Sequence, residues 1–449
     1  MPPGITFAAD APALSAANTG FMLICSALVM LMTPALAFFY GGMVRVKSTL
    51  NMLMMSFISL GIVTVLWVLY GFSLAFGTDS AGLIGWSSDY LGLSGIGLTE
   101  LWDGYTVPVY VFAVFQLMFA VLTPALISGA LADRVKFSAW ALFVALWATV
   151  VYFPVAHWVW GTGGWAFELG VIDFAGGTAV HINAGAAALG VILVLGKRVG
   201  FKKDPMRPHS LPLVMLGAGL LWFGWFGFNA GSWLGNDDGV GALMFLNTQV
   251  ATAAAMLAWL GYEKLRHGAC TTLGAASGAV AGLVAITPAG GSSSPLGSLA
   301  IGAIAGVLCA MAVGLKYRFG YDDSLDVVGV HLVGGIAGSV LVGFFATGGG
   351  QSEAKGLFYG GGPDQLVKQL AGVGGVLLYS FVVSALLALV IDKTLGMRVS
   401  EEVEVSGIDR TEHAETAYDF SGAGGGATTR TSAPVRESAP AESHEKVDA

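Results

Sequence analysis

Long apolar runs recur along the chain, and polar residues are largely confined to the segments between them. Eleven runs lie at about 19–40, 50–77, 107–131, 137–155, 174–196, 211–234, 240–262, 270–288, 297–315, 326–346 and 370–392. A helix needs about twenty residues to cross roughly 30 Å of hydrocarbon. The runs are too long and too uniformly apolar for barrel strands, and only helices satisfy their backbone polar groups internally. The pattern predicts an all-α polytopic membrane protein with eleven transmembrane helices.

Basic residues fall mainly in alternate connections between the predicted helices. One set of connections carries thirteen of them: Arg45, Lys47, Arg134, Lys136, Lys197, Arg198, Lys202, Lys203, Arg207, Lys264, Arg266, Lys316 and Arg318. The other set carries carboxylates such as Asp79 and Glu100, and its basic residues are Lys355 and Lys368. Because basic loops are retained in the cytoplasm, we expect the N-terminus outside and the C-terminus inside.

The two ends of the chain are polar. Residues 1–18 lack the basic start and apolar centre of a cleavable signal, so we expect them to remain as an extracytoplasmic segment. The eleven-helix domain then covers 19–396 and is followed by a polar cytoplasmic segment at 397–420. Residues 421–449 are rich in Gly, Ser, Ala, Pro and charge. We expect this last segment to be disordered, because it cannot bury enough apolar surface to fold.

Composition narrows the class of protein. Hydrophobic residues make up 55% of the chain and charged residues 11%, against roughly 25% charged in a soluble domain, which argues against a soluble fold. The formal charge of −8 leaves no basic face for nucleic acid. The three cysteines lack metal-site spacing, and the common hydrolase, phosphate-loop and dinucleotide motifs are missing from the sequence. We therefore expect neither an enzyme nor a metal or cofactor site.

Two of the seven histidines, His181 and His331, lie inside apolar runs. An ionisable side chain in a membrane span is costly unless it is paired or lines a cavity, which makes both candidate functional residues. The alternative is a neutral histidine that only bridges two helices. Counted from the nearest basic residue, the two stand at similar depths of about 24 and 22 Å. As a pair in a dry pore, with at least one ring neutral, they could relay a proton or bind a small neutral amine.

An acidic residue precedes each of these histidines. Asp173 lies in DFAGGTAVH and Asp326 in DVVGVH, in the fifth and tenth runs. This correspondence favours an inverted repeat of two five-helix units, because an odd number of crossings inserts the second copy upside down. Asp173 would cap the free N–H groups of the fifth helix. It would also place a negative charge about 12 Å outward of His181, and both roles can hold together.

Aromatic residues concentrate near the outer ends of the runs. The tryptophans there are Trp158, Trp160, Trp165, Trp222, Trp225 and Trp233. Most fit an interfacial belt, whereas a tryptophan at a vestibule would attract a cation to its ring face. Phenylalanines recur as Phe115 and Phe119, and as Phe223, Phe226 and Phe228. Such residues usually pack or face lipid, but two stacked rings in a narrow pathway would form a hydrophobic gate.

Several blocks of the sequence resemble the ammonium transporter (Amt/Mep) family. They are DFAGGTAVHINAG (173–185), GWFGFNAGS (224–232), ATAAA (251–255), AGLVAITPAG (281–290), DVVGVHLVGGIAG (326–338) and MRVSEEVEVSGIDRTEHAETAYD (397–419). The resemblance runs in order over about 15–420. It implies an inverted 5+5 helix repeat plus a final helix, N-out and C-in, in a homotrimer with one pore per subunit. It also implies uptake of ammonium or ammonia, with methylammonium as an analogue, across the cytoplasmic membrane.

The resemblance implies roles for individual residues. His181 and His331 match the paired pore histidines of the family, and Trp225 and Thr287 match residues that line the pore. The stacked gate corresponds to Phe119 and Phe228, with Phe115 one turn above Phe119. The external recruitment site corresponds to Trp160, Ser232 and Phe119, with Asp173 as the family's acid near that site. Trp160 and the tail motif favour the Amt branch over the Rhesus branch.

The sequence is compatible with more than one function, and its polar tail indicates a regulatory partner. Residues 397–419 resemble the segment that couples the trimer in this family and receives a PII-type regulatory protein, which is therefore the expected partner. An ammonium sensor that signals through this tail is an alternative to a transporter. A sodium-coupled amine or amino-acid transporter is a third reading. It would require paired unwound helices with carbonyl ligands, and the sequence shows only ordinary glycines.

Overall fold

The computed structural model describes residues 13–419. Within them, ten helices are long and apolar enough to cross a membrane: α1 (Ala16–Met43), α2 (Val46–Phe76), α3 (Val109–Leu131), α4 (Phe137–Leu169), α5 (Gly177–Leu195), α6 (Leu211–Gly231), α7 (Val240–His267), α9 (Pro295–Phe319), α10 (Val328–Phe345) and α11 (Asp364–Thr394). Between α7 and α9 lies a shorter apolar helix, α8 (Thr272–Ile286). The predicted helical multi-span architecture is confirmed. An eleventh crossing by α8 stays a prediction, because its 15 residues fall short of the usual span length of about 20.

Short strands and helices lie in the connections between the long helices and after the last one. An antiparallel hairpin follows α2, with strands β1 (Thr78–Ser80) and β2 (Ile84–Trp86). Single 3₁₀ segments lie at Ser88–Leu93 and Leu357–Tyr359. After α11 come two short helices, α12 (Glu401–Ser406) and α13 (Ile408–His413). The rest of the described chain is dominated by the long helices, which form one bundle.

Close helix packing depends on glycine at particular crossings. A Cβ on Gly217 of α6 would lie 2.4 Å from the backbone nitrogen of Phe39 in α1. A Cβ on Gly338 of α10 would lie 2.1 Å from the carbonyl oxygen of Ala285 in α8. Neither space accepts a side chain, so the backbones touch directly, which is how helices gain van der Waals contact inside a membrane. The high glycine content of the apolar runs thus has a packing explanation.

Helices α5 and α10 share a local construction. Each opens with a π-helical segment, Gly177–Ile182 in α5 and Val328–Leu332 in α10, and each segment contains the intramembrane histidine. The helices run antiparallel. A Cβ on Gly185 of α5 would meet Leu332, and one on Gly335 of α10 would lie 3.0 Å from the carbonyl oxygen of Gly177. Such π-turns are frequent at functional sites.

The acidic residue equivalent to Asp173 is Asp323 and not Asp326, so the sequence match to Asp326 was wrong. Asp323 lies eight residues before His331, as Asp173 lies eight before His181. Its carboxylate accepts hydrogen bonds from the backbone of the first turn of α10, at 3.0 Å from Val327 N and 2.7 Å from Val328 N. Asp326 instead forms an ion pair with Lys316 at 2.6 Å.

The basic connections meet in a buried ion network. Asp322 lies 2.8 Å from Arg134 and 2.9 Å from Arg198. Asp133 lies 3.1 Å from Arg198 and 3.0 Å from Arg45. Burial alone would raise the pKa of the Asp322 carboxyl, but hydrogen bonds and charge from Arg198, with the charge of Arg134, hold it below its ordinary value. These connections therefore form one charged end of the bundle.

The tail packs on the same end. Glu404 of α12 pairs with Arg398 at 2.7 Å and accepts the backbone N–H of Val199 at 2.6 Å. Asp409 of α13 accepts the backbone N–H groups of Leu50 and Asn51 near the start of α2, at 3.0 and 2.8 Å. We call this the inner end and the opposite one the outer end. Which end faces the cytoplasm stays a prediction.

Some expectations fall beyond the described residues. Residues 1–12 and 420–449 lie outside them. They include most of the segment 1–18 and the whole of 421–449, for which disorder was predicted. The division into a helical domain at 19–396 and a tail segment at 397–420 also stays a prediction.

Candidate functional site

A cavity of about 380 Å³ opens at the outer end of the bundle. Trp160, Phe119, Ser232 and Asp173 all line it. It is far larger than a single small cation, and we call it the vestibule. The four residues predicted for an external site are thus brought together, from α3, α4 and the segments before α5 and after α6.

The polar atoms of this vestibule are oriented by backbone hydrogen bonds. The indole Nε1 of Trp160 donates to the carbonyl oxygen of Asp173 at 3.0 Å, and its ring stands edge-on to Phe119, with centroids 5.9 Å apart. The Ser232 hydroxyl donates its proton to the carbonyl oxygen of Phe228 at 2.8 Å. A hydroxyl has one proton and two lone pairs, so the Ser232 oxygen remains an acceptor for a cation that enters the cavity.

The carboxylate of Asp173 caps α5 from below the vestibule. It accepts four backbone hydrogen bonds, from Gly176 at 2.9 Å, Gly177 at 2.6 Å, Thr178 at 2.8 Å and Ala179 at 3.0 Å. These are N–H groups that the helix itself cannot satisfy. The capping geometry expected for Asp173 is therefore present, and it fixes a negative charge at the outer entrance of the helix that carries His181.

Two stacked phenylalanines close the floor of the vestibule. The ring centroids of Phe119 and Phe228 lie 4.3 Å apart at 36°, and both side chains are buried. Phe115 lies next to Phe119, with centroids 4.9 Å apart. Apolar rings give a hydrated ion nothing to replace its water ligands. The two rings therefore form an apolar barrier to a hydrated ion at this level of the bundle.

The two histidines lie directly beyond the gate. The ring centroid of His181 is 6.1 Å from that of Phe228 and 5.3 Å from that of His331. The planes of the two imidazoles are nearly parallel, at an angle of 16°. Their Nδ1 atoms are 3.3 Å apart. One Nδ1 must donate and the other accept, so at least one of the rings is neutral in this arrangement. The Nε2 atom of His181 is buried without a hydrogen-bond partner among the described residues.

Trp225 supports the histidine pair. Its indole lies 5.3 Å from the His181 ring at 18°, and its Nε1 donates to the hydroxyl of Thr287 at 2.9 Å. Thr287 also lies 3.3 Å from the side-chain oxygen of Asn229, whose amide donates to Thr248 at 2.9 Å. The sequence interpretation missed Asn229 and Thr248. Their signal was a polar side chain within an apolar run, the same signal that singled out the histidines.

Other candidate aromatics lie away from the pathway. Phe223 is 55% exposed on the outside of the bundle, and Phe226 stacks on Phe245. Trp222 donates to Gln249, and Trp158 donates to the Leu83 carbonyl oxygen. These positions fit belt and packing roles. The structure instead adds Gln116 and Gln351 to the vestibule lining, and Gln116 was detectable in sequence as the polar residue between Phe115 and Phe119.

Comparison with known proteins agrees with this geometry. The model of the Ammonium Transporter Family matches residues 20–418. An ammonium transporter from Mycobacterium tuberculosis is 56% identical over 436 residues, which cover 91% of each chain. The crystal structure of Saccharomyces cerevisiae Mep2 superposes with a TM-score of 0.79 at 35% identity and covers 86% of this chain and 91% of that one. A solved structure described as a sensor Amt protein gives a TM-score of 0.81 at 30% identity, covering 88% and 98%. The chain belongs to the ammonium transporter family.

Proposed function

We propose that the protein takes up ammonium by binding the cation at the vestibule, removing a proton from it and conducting ammonia past the histidine pair. The observation that carries this proposal is the continuous series of rings from Trp160 through Phe119 and Phe228 to His181 and His331. Each ring in this series lies within 6.1 Å of the next, measured between centroids. No bulk water path is needed for a neutral molecule to follow such a series.

Recruitment uses the chemistry of the vestibule wall. An aromatic ring attracts a cation by about 0.5–2 kcal/mol, and Trp160 and Phe119 both present rings to the cavity. The Ser232 oxygen accepts one N–H of the ammonium ion, because its own proton is already engaged with Phe228. The Asp173 carboxylate favours positive charge at this end of α5. Ammonium offers four donors in a compact cation, which suits this mixture of ring faces and oxygen acceptors.

The ammonium ion has to lose its proton before it passes the gate of Phe119 and Phe228. An ion at the centre of a membrane costs at least about 2.5–3.5 kcal/mol, and the buried rings of Phe119 and Phe228 supply no compensating ligands. Ammonia is neutral and small enough to pass between moving rings. Beyond the gate, the Nε2 of His181, which has no hydrogen-bond partner in the described part of the chain, offers ammonia a hydrogen bond. The released proton returns to the outer water in neutral transport, whereas in electrogenic transport it follows through His181 and His331.

The cellular setting is part of the proposal. We place the protein in the cytoplasmic membrane as a homotrimer with a pore in each subunit, with its tail in the cytoplasm. The support is the family membership together with the docking of α12 and α13 on the basic connections through Glu404 and Asp409. A PII-type regulatory protein would then bind at this inner end.

Methylammonium uptake into proteoliposomes tests the recruitment step. We expect Trp160→Ala to raise the half-saturating concentration by about 2- to 30-fold, which corresponds to the cation–π energy, with little change in the maximal rate. Trp222→Ala is the matched control, because this indole binds Gln249 away from the vestibule. An unchanged half-saturating concentration in Trp160→Ala would refute the recruitment site. Uptake without sodium would eliminate a sodium-coupled transporter.

An ammonium sensor is the second candidate. It is favoured by the structural similarity to a sensor Amt protein, with a TM-score of 0.81, and by the close docking of the tail. Both functions can use the same vestibule. Growth of an uptake-deficient strain at low external ammonium separates them, because a transporter rescues growth and a pure sensor does not.

A further inference from the structure

A buried histidine outside the pathway joins α4 to the outer hairpin. His157 has no exposed surface and lies one helical turn before Trp160. Its Nε2 is 2.8 Å from the carboxylate of Asp79 in β1, and its Nδ1 is 3.0 Å from the carbonyl oxygen of Ala75 at the end of α2. The transport pathway described above uses neither His157 nor Asp79.

Both ring nitrogens of His157 are engaged, since Nε2 faces Asp79 and Nδ1 faces the carbonyl oxygen of Ala75. Asp79 also accepts the backbone N–H of Gly82 at 2.9 Å. The hydrogen bond from His157, followed by that from Gly82, holds the pKa of the Asp79 carboxyl below its ordinary value.

The turn that follows Trp160 is built around this pair. A Cβ on Gly161 would lie 2.5 Å from Nδ1 of His157, and a Cβ on Gly163 would lie 2.5 Å from Cβ of Asp79. Gly163 also has a positive φ of 91°, which favours glycine. The turn therefore wraps the two side chains with no space to spare, and a shift of Asp79 or His157 moves the backbone next to Trp160.

We propose that His157 and Asp79 form a clasp that positions the Trp160 indole at the recruitment site. The clasp links the end of α4 to the hairpin. Asp79 also lines an adjoining outer cavity of about 810 Å³, and its side chain is 29% exposed. Both are positioning residues, since their hydrogen bonds go to the protein and to each other. The inference rests on the proposed recruitment role of Trp160.

Methylammonium uptake into proteoliposomes of the purified variants tests the clasp. Asp79→Ala removes the acceptor for His157. We expect it to raise the half-saturating concentration by about 2- to 10-fold without lowering the maximal rate, because a displaced Trp160 ring loses only part of its cation–π attraction. Asp79→Asn keeps an oxygen acceptor and should lie nearer to wild type. A purely structural role would lower the maximal rate and leave the half-saturating concentration unchanged, which would overturn the proposal.

Asp89→Ala is the matched control for charge. Asp89 lines the same outer cavity but does not contact His157, so its loss should leave the half-saturating concentration within about 2-fold. Equal effects of Asp79→Ala, Asp79→Asn and Asp89→Ala would mean simple attraction of cations to an acidic mouth and would overturn the clasp.

A double variant separates this inference from the proposed function. If Asp79 acts through Trp160, Asp79→Ala should add no further effect in a Trp160→Ala background. Full additivity would overturn the clasp and leave the recruitment site intact. No effect of Trp160→Ala itself would instead refute the recruitment site.

Discussion

Two polar side chains of the candidate site, Ser232 and His181, have partners that leave particular atoms available. Ser232 donates its proton to Phe228 and keeps its lone pairs. His181 uses Nδ1 towards His331 and leaves Nε2 without a partner among the described residues. In both cases the protein determines which atom is available before any ligand arrives. The chemistry of the site therefore depends on the supporting hydrogen bonds as much as on the residues that face the ligand.

The sequence predicted some of the residues at this site and missed others. His181 and His331 could be predicted because an ionisable side chain in an apolar run is costly, and their similar depth followed from counting residues. The distance of 3.3 Å between the Nδ1 atoms could not be predicted, because it depends on the crossing of two helices that are far apart in sequence. Asn229 and Thr248 were missed because a single amide or hydroxyl in a span is common and usually bonds locally.

Thr287 offers a test of the support beneath His181. Thr287→Val removes the acceptor of the Trp225 indole and leaves a buried N–H group unpaired, which costs about 1–3 kcal/mol. We expect a lower melting temperature and slower ammonia conduction, because the indole that stacks on His181 loosens. Thr287→Ser keeps the hydroxyl and should resemble the wild type. Equal conduction in all three proteins would show that the Trp225–Thr287 hydrogen bond is dispensable.

At the scale of elements, the apolar runs predicted helices because backbone groups in hydrocarbon have no other partners. The runs did not reveal the π-helical openings of α5 and α10, since these change the local hydrogen bonds without changing the composition. The apolar runs also led to the incorrect match of Asp173 with Asp326. A histidine with a preceding acid is a short motif, and three aspartates, Asp322, Asp323 and Asp326, precede His331. The spacing of eight residues together with the capping bonds from Val327 and Val328 identifies Asp323 as the equivalent.

Gly338 tests the close packing of α8 against α10. We expect Gly338→Ala to destabilise the protein by about 1–3 kcal/mol, the usual cost of an overpacked core, because its Cβ would lie 2.1 Å from the carbonyl oxygen of Ala285. Gly374→Ala in α11 is the control. Its Cβ meets nothing within 4 Å, and alanine is the better helix former by about 1 kcal/mol. Thermal unfolding in detergent measures both, and similar melting temperatures for the two variants would contradict this packing account.

At the scale of the whole molecule, the two ends of the bundle have opposite chemistry. The outer end holds aromatic rings and carboxylates around open cavities, whereas the inner end joins basic connections and the tail through buried ion pairs. Charge counting along the sequence predicted this division, because the connections alternate between the two ends. It could not predict that Asp322 and Asp133 bind Arg45, Arg134 and Arg198 into one network, since those contacts join residues 65 to 188 positions apart in the chain.

Glu404 tests how the tail is held. Glu404→Ala leaves Arg398 and the backbone N–H of Val199 without this acceptor, and we expect a loss of about 1–3 kcal/mol in the free energy of tail docking. Limited proteolysis should then cut the tail faster than in the wild type. Glu402→Ala changes an exposed glutamate of the same helix and should leave the cleavage rate unchanged. Equal cleavage of the two variants would mean that Glu404 does not hold the tail.

The most direct test of the account is the response of sodium-free proteoliposomes to an ammonium pulse, recorded as current and as internal pH. We predict a wild-type response in at least one of the two signals: a current for electrogenic transport or internal alkalinisation for neutral conduction. The double variant His181→Ala, His331→Ala should lose this response or lose its selectivity for ammonium. A double variant with the same rate and the same selectivity as the wild type would contradict ammonia conduction along the histidine pair.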